Sequence, residues 1–331
     1  SAKSDVKVPD NNSIWQIKEG KKLTPNSPVT LEWNNREGVI FLKKIELDNK
    51  YLFKITETIR NDKGKTVELF PYSQITRNEK PHTENFYILH EGLIGVVNKN
   101  LKEEKYVDVE KEKKTFSGNS GWFGITDKYW AAAFIPDQSQ SYDATYRAIA
   151  GTTHIYEADL MLPAATVAQG APATSTKRLF VGAKEVKTVD GYASSLNIKR
   201  FDLLIDWGWF YFITKPFFFI IDYIFKAVGN FGVAIIILTI MVRIVFFPLA
   251  NYSFKSMAKM KILQPEMLRI KELYKDDVKR TQQEVMALYK REKVNPLSGC
   301  LPILIQIPIF FAVYKMLFVT LEMRQTPFFG W

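Results

Sequence analysis

Apolar and polar positions alternate through the first two thirds of the chain. Val29, Leu31 and Trp33 alternate with Thr30 and Glu32, and Phe53, Ile55 and Ile59 share one face of a later run, which is the period of half-buried strands. Asn61-Asp62-Lys63-Gly64 supplies turn chemistry before Thr66 to Phe70 and predicts a hairpin. Short runs at Phe86 to Leu89, Ile94 to Val97, Tyr106 to Val109, Trp130 to Ile135 and Thr152 to Leu160 read as further strands. That density predicts a large antiparallel sandwich. Residues 163 to 176 have the composition of a linker, but Thr166-Val167-Ala168 and Thr176 to Val181 flank Gln169-Gly170-Ala171-Pro172 as strand, turn, strand. Residues 184 to 200 read as a short helical connector.

The pattern changes after residue 200. From Phe201 to Phe225, Trp207, Trp209, Phe210, Tyr211 and Phe212 stand beside Asp202, Asp206 and Lys215, which predicts an interfacial helix bent at Pro216. An ordinary amphipathic core helix is the alternative, although Phe217 to Ile221 offers water no polar face. Residues 231 to 250 form an apolar run of the length a bilayer core demands, about 20 residues. Residues 297 to 320 form a second, interrupted by Pro302, Gln306, Pro308 and Lys315. Between them, Met267, Ile270 and Tyr274, then Val278, Val285 and Leu288, follow helical spacing and predict a hairpin. Pro265 is expected to kink or break its first arm, and Asp276-Asp277 sits near the start of the second, where the helix dipole favours acids.

Charge adds orientation. The 331 residues carry 45 Lys+Arg against 35 Asp+Glu, a net +10. Such an excess invites a nucleic-acid reading, but no aromatic stacking pattern accompanies the basic residues. Residues 251 to 296 hold 11 basic and 6 acidic side chains, and this local excess lies between the two spans. The positive-inside rule therefore puts the hairpin in the cytoplasm and both the large domain and the C-terminal end outside. The hairpin's Lys and Arg are either solvated or in contact with anionic lipid heads. Cys300 is the one cysteine and cannot form an internal disulfide. Leu297-Ser298-Gly299-Cys300 has the look of a lipobox, but its apolar run follows the cysteine instead of preceding it. A chain that starts at Ser1 without Met or a signal-like segment, yet holds membrane segments, is expected to be a piece of a longer protein.

Enzyme signatures are missing: the sequence has no glycine-rich phosphate loop, no nucleophile elbow, no HExxH and no CxxC. His82, His90 and His154 are scattered and read as structural, and Glu103-Glu104 reads as a solvated pair. No metal, cofactor or catalytic residue is expected. Arg243 is the informative residue, because a guanidinium near the middle of an apolar helix costs about 2.5 to 3.5 kcal/mol on insertion scales. Thr239 lies one turn earlier on the same face. Snorkelling to the inner headgroups and pairing with a carboxylate on another helix are the structural alternatives. Gln306 in the second span also seeks a polar partner. The three together suggest a polar face, open to the cytoplasm, inside a helix bundle.

A dense series of segments from Phe231 to Trp331 resembles the bacterial YidC-type membrane protein insertases, relatives of the mitochondrial oxidase-assembly and chloroplast insertases. It begins with Gly229-Asn230-Phe231-Gly232, Thr239-Ile240-Met241-Val242-Arg243 and Pro248-Leu249. It continues through Ser256-Met257-Ala258-Lys259-Met260, Leu263-Gln264-Pro265, Met286-Ala287-Leu288-Tyr289-Lys290 and Glu292-Lys293-Val294-Asn295-Pro296-Leu297, and it closes with Pro302 to Phe310 and Leu321-Glu322-Met323-Arg324-Gln325. Gly121 to Trp130 is similar to a stretch of the family's periplasmic domain in Gram-negative bacteria.

The resemblance implies a β plus membrane-α architecture: a periplasmic β-supersandwich of galactose-mutarotase-like shape, an interfacial helix, two transmembrane helices and a cytoplasmic helical hairpin. The expected boundaries are 1 to 200 for the sandwich, 201 to 226 for the interfacial helix and 227 to 250 for the first span. The hairpin takes 251 to 296, the second span 297 to 320, and an external loop starts at 321. The family's N-terminal anchor, the start of its periplasmic domain and its last three core helices would lie outside this sequence. The resemblance also implies an inner-membrane insertase and chaperone, with Arg243 as the positive centre of a hydrophilic groove lined by Thr239 and Gln306. Its expected partners are nascent membrane proteins, the Sec translocon, the ribosome or targeting machinery at the hairpin, and the lipid bilayer, without direct nucleic-acid recognition. The rival readings are a membrane-anchored periplasmic carbohydrate-binding protein and an anion-selective pore subunit.

Overall fold

Alternating Val, Ile, Thr and aromatic residues pair into antiparallel sheets in the first half of the chain, as such pleat-filling side chains favour. The structure is a computed structural model, and it describes residues 6–62, 65–81, 89–292, 294–295, 299 and 301–329. Two compact units emerge. One holds the chain through Asp206 together with Val319–Glu322; the other holds Trp207–Phe318 and the residues from Met323 on.

Among the described residues, the first unit has a nine-stranded sheet. Its spatial order is β1 (Gln16–Glu19), β2 (Val29–Asn34), β3 (Val39–Leu47), β4 (Leu52–Asn61), β15 (Ala173–Ala183), β11 (Trp130–Ile135), β10 (Gly121–Thr126), β7 (Gly92–Val97) and β8 (Asn100–Glu104). A four-stranded sheet of β6 (Tyr72–Asn78), β13 (Ile155–Met161), β12 (Tyr142–Ile149) and β9 (Lys114–Gly118) packs on it. Leu93, Phe123 and Ile125 from the larger sheet meet Tyr146, Tyr156 and Leu160 from the smaller, and Phe123 stacks on Tyr146 at 4.0 Å. On the opposite face of the larger sheet lies α2 (Val186–Ser195), followed by a 3-10 turn (Phe201–Leu204). There Phe201 makes edge contacts with Trp122 at 5.6 Å and Phe180 at 5.8 Å, and the Trp122 indole N–H donates to the Arg200 carbonyl.

Three expectations for this unit change. The hairpin after Asn61 does not form: β5 (Val67–Leu69) pairs with β14 (Ala165–Val167), because the Asn61 amide donates to both Lys65 O and Val167 O and draws the two segments together. Tyr106 to Val109 is the start of a helix, α1 (Tyr106–Lys111), with Tyr106 and Val109 buried on one face. Four residues are too few for a periodicity to separate strand from helix. The interfacial helix does not begin at 201, because Phe201 and Leu204 are buried in the sandwich unit. The expected strand at 86 to 89 lies, but for Leu89, outside the described residues, as do His82 and Cys300.

In the second unit, α3 (Tyr211–Val228) follows Gly208, whose φ of 74° breaks the chain direction. Its buried positions Thr214, Phe218, Ile221 and Asp222 follow helical spacing, while Phe212, Phe219 and Tyr223 are exposed. Pro216 lies inside it. The helix stops at Gly229 in the left-handed conformation, and Asn230 caps the next helix by accepting from Val233 N at 3.1 Å. That helix, α4, runs Phe231–Leu273 without a break, 43 residues or about 65 Å. The first span and the first hairpin arm are therefore one continuous helix. Pro265 does not end it, since an internal proline removes one rung and leaves the ladder on either side intact.

Asp277 caps α5 (Val278–Arg291) by accepting from Arg280 N. The hairpin closes through Tyr289 Oη donating to Met267 Sδ at 3.2 Å and an Arg291–Glu266 ion pair at 3.0 Å. Of the positions at helical spacing in the second arm, Val278 is exposed and Leu288 is buried. The last helix, α6 (Leu301–Val319), is antiparallel to α4. Ser253 donates to Gly299 O at one end, and Gly232 lies against the Phe328 ring at the other. These contacts are about 32 Å apart along α4, close to the thickness of a hydrocarbon core.

His90 carries a pH dependence for the sandwich. Its ring Nε2 lies 3.0 Å from Leu93 O and its backbone N–H donates to Asp206, and burial pushes its pKa below the usual imidazole range. A depressed folded pKa means that the unfolded chain binds the proton first, so stability falls as pH drops below about 6.5 towards the folded value. Denaturant unfolding followed by fluorescence should show a lower midpoint at about pH 5.5 than at about pH 7.5, and His90→Asn should flatten that slope. An unchanged slope in the variant would remove His90 from the account.

Candidate functional site

Helical spacing places Thr239 and Arg243 one turn apart on α4, where they share an open cleft of about 380 Å³ with Ile240, Ile244 and Phe247. The Thr239 hydroxyl donates to Ile235 O at 2.8 Å, so its proton is satisfied within the helix and its lone pairs are left for the cleft. Arg243 is exposed and, among the described residues, carries no ion pair. Its surroundings are Ile240, Ile244 and Phe247, so a fixed positive charge is set in an apolar wall. Such a charge attracts acidic or polar groups more strongly than one in bulk water does. Gln306 is exposed on α6 and is not among the residues that line this cleft. The structure thus joins two of the three expected site residues.

Sequence reasoning missed the residues that hold this region together. Ser253 and Ser256 are buried one turn apart on α4 and donate to Gly299 O at 3.3 Å and Asn295 O at 3.4 Å, tying the return of the hairpin to the helix. Two small hydroxyls one turn apart, just beyond the apolar run, are the signal that could have revealed them. Lys315, buried on α6, runs its stem past Gly208, where a Cβ would stand 3.2 Å from Cε.

Glu322 is the other missed residue. It accepts from Val186 N at 2.7 Å, the first amide of α2, while Glu185 at that helix's own N-cap position makes no side-chain cap. A carboxylate distant in sequence therefore satisfies the helix start. Burial pushes its pKa up. Elsewhere in the sandwich the buried carboxylates Glu157 and Asp159 are both engaged by Arg147, at 2.6 and 3.1 Å. His154 stacks on Tyr156.

The family described as YidC periplasmic domain matches residues 1–220, and the family described as 60Kd inner membrane protein matches residues 223–331. Membrane protein insertase YidC of Beijerinckia indica is 50% identical over 100% of this chain and 55% of its own. The proteins of the same name from Pelagibacter ubique and Brucella melitensis are 48% and 49% identical, over 100% and 98% of this chain and 59% and 54% of theirs. The chain spans about half the length of the curated relatives it matches. Among solved structures, a proposed aldose 1-epimerase of Escherichia coli K12 is similar at a TM-score of 0.30 and 12% identity, covering 51% of this chain and 68% of that one. The GH36 alpha-galactosidase AgaB of Geobacillus stearothermophilus is similar at 0.35 and 9%, covering 53% and 28%. Likenesses at that level carry no weight; the sandwich rests on its own strand pairing.

Fold and matches together define a multi-pass inner-membrane protein with a large periplasmic β-sandwich domain. The chain belongs to the YidC family of membrane protein insertases.

The Glu322 contact makes a separable prediction. Glu322→Gln keeps an acceptor oxygen for the Val186 amide, so the α2 amides should stay protected. Glu322→Ala loses the cap, worth about 1 kcal/mol, and should speed hydrogen exchange at Val186 about fivefold. Equal protection in both variants, read by exchange mass spectrometry, would deny the cap its role.

Proposed function

We propose that this chain is the part of an insertase that receives nascent membrane proteins in a hydrophilic groove open to the cytoplasm and releases their apolar segments into the bilayer. The observation that carries this reading is Arg243: an exposed guanidinium without an ion pair among the described residues, beside Thr239 in a cleft on an apolar helix. A hydrophilic stretch of an incoming chain exchanges water for that charge, and its apolar segment leaves sideways into lipid. The work comes from burial of apolar area, with the membrane potential adding to it for charged segments. No covalent step and no cofactor enter this route. Gln306 joins the groove from α6 in this proposal.

The remaining assignments follow the same reading. The hairpin of 251 to 296 meets the ribosome or targeting machinery through its basic faces, the periplasmic sandwich meets the Sec translocon, and α3 lies at the lipid interface with Phe212, Phe219 and Tyr223 outward. The relatives' shared name speaks for insertion and not for carbohydrate binding.

In the full-length protein, Arg243→Ala should lower insertion of clients with acidic translocated tails about tenfold while leaving purely hydrophobic clients within about twofold, and Arg243→Lys should restore most of the loss. A protease-protection panel measures this, and equal insertion by wild type and Arg243→Ala across the panel would overturn the role. Photo-crosslinkers at positions 239 and 306 should capture a ribosome-bound client at contacts that move along it as it lengthens. Crosslinks from 239 alone would leave Gln306 outside the groove.

A further inference from the structure

We infer that the sandwich has a lipid-contacting rim, built from Tyr51, Trp130 and Val181, that rests in the headgroup layer of the periplasmic leaflet. These three are among the exposed large apolar side chains of the first unit, at 61%, 58% and 43% exposure. They surround the end of β15. Val181 N donates to Tyr51 O on one side, and on the other Trp130 pairs with Ala183, two residues beyond Val181. β4, β15 and β11 are neighbouring strands, so the group spans about 10 Å.

This is also the end of the sheet at which the chain passes to and from its membrane helices. Val186, three residues after Ala183, donates to Glu322, which follows the second span by only a few residues. His90, two residues before β7, donates to Asp206, the last residue before the membrane unit begins. β7 starts opposite the end of β10, with Gly92 paired to Thr126, and Lys184 Nζ donates to the Thr126 hydroxyl at 2.8 Å. Both passages are thus pinned within a few residues of the rim.

The side chains suit that layer. Trp and Tyr favour the boundary where one edge is wet and the other apolar. Charge does not drive the contact, since the neighbouring ions are already engaged: Lys50 with Glu185 at 3.3 Å, Asp127 with Arg77, and Lys128 over the Tyr129 ring at 5.2 Å. The partner is therefore the interface itself, irrespective of headgroup charge. The inference needs the two spans to cross the bilayer but does not need Arg243 to act in insertion.

The test uses the full-length protein with native cysteines replaced, reconstituted in phosphatidylcholine vesicles and spin-labelled singly at Trp130→Cys, Tyr51→Cys or Glu37→Cys. Glu37 lies in the turn before β3, at the far end of that strand from Tyr51, about 30 Å away. Labels at 130 and 51 should collide more with oxygen than with a water-soluble nickel chelate, and the label at 37 should show the reverse. A nickel excess at 130 and 51 would place the rim in water, and exclusion of both probes would place it under another protein segment; either result overturns the proposal. Dependence of the oxygen excess on added anionic lipid would also overturn it, because the aromatic contact needs none.

Discussion

Lipid offers no hydrogen bonds, and the membrane half of this chain is arranged around that fact. Backbone groups in a span are satisfied mostly by the helix itself, and α4 runs from its apolar part into the basic hairpin as one continuous helix. Its hydroxyls are treated the same way: Thr239 bonds back to Ile235 O, and Ser253 and Ser256 reach carbonyls of the returning chain. Against that background Arg243 is exposed in the apolar part of α4 and, among the described residues, carries no ion pair.

The sandwich solves a different problem, the burial of both faces of a wide sheet. One face takes the smaller sheet through the aromatic layer of Phe123, Tyr146 and Tyr156. The other takes α2 and the 3-10 turn through Trp122, Phe180 and Phe201. The glycines of β10 belong to this economy of space: at Gly121, φ is 126° and a Cβ would run into the Val96 carbonyl, so only glycine lets β7 approach there. Glu322 adds a long-range tie, since the residues after the second span complete the start of a helix built much earlier in the chain.

What the sequence made legible follows from how local each signal is. Trp130 to Ile135 and Ile94 to Val97 were readable because short apolar runs between polar turns mark buried strands, and the apolar runs of the membrane half were readable because length alone marks a span. The pairing of β5 with β14 was not, because it depends on an Asn61 side chain reaching two carbonyls, one of them distant in sequence. The unbroken α4 was hidden by Pro265 and by a change from apolar to basic composition that alters the surroundings of the helix without altering its backbone. Thr239 and Arg243 were found together because one helix sets their spacing. Gln306 stayed apart because its relation to them depends on packing between helices, which spacing cannot express.

The prolines of α4 give the continuous helix a mechanical character. Pro248 and Pro265 each remove one amide, leaving the carbonyls of Ile244 and Lys261 without their usual helical donor, while the bonds on the other strands of the helix ladder persist. Each missing rung lowers the cost of bending at that point, so the long helix has two places along its length where it yields most readily.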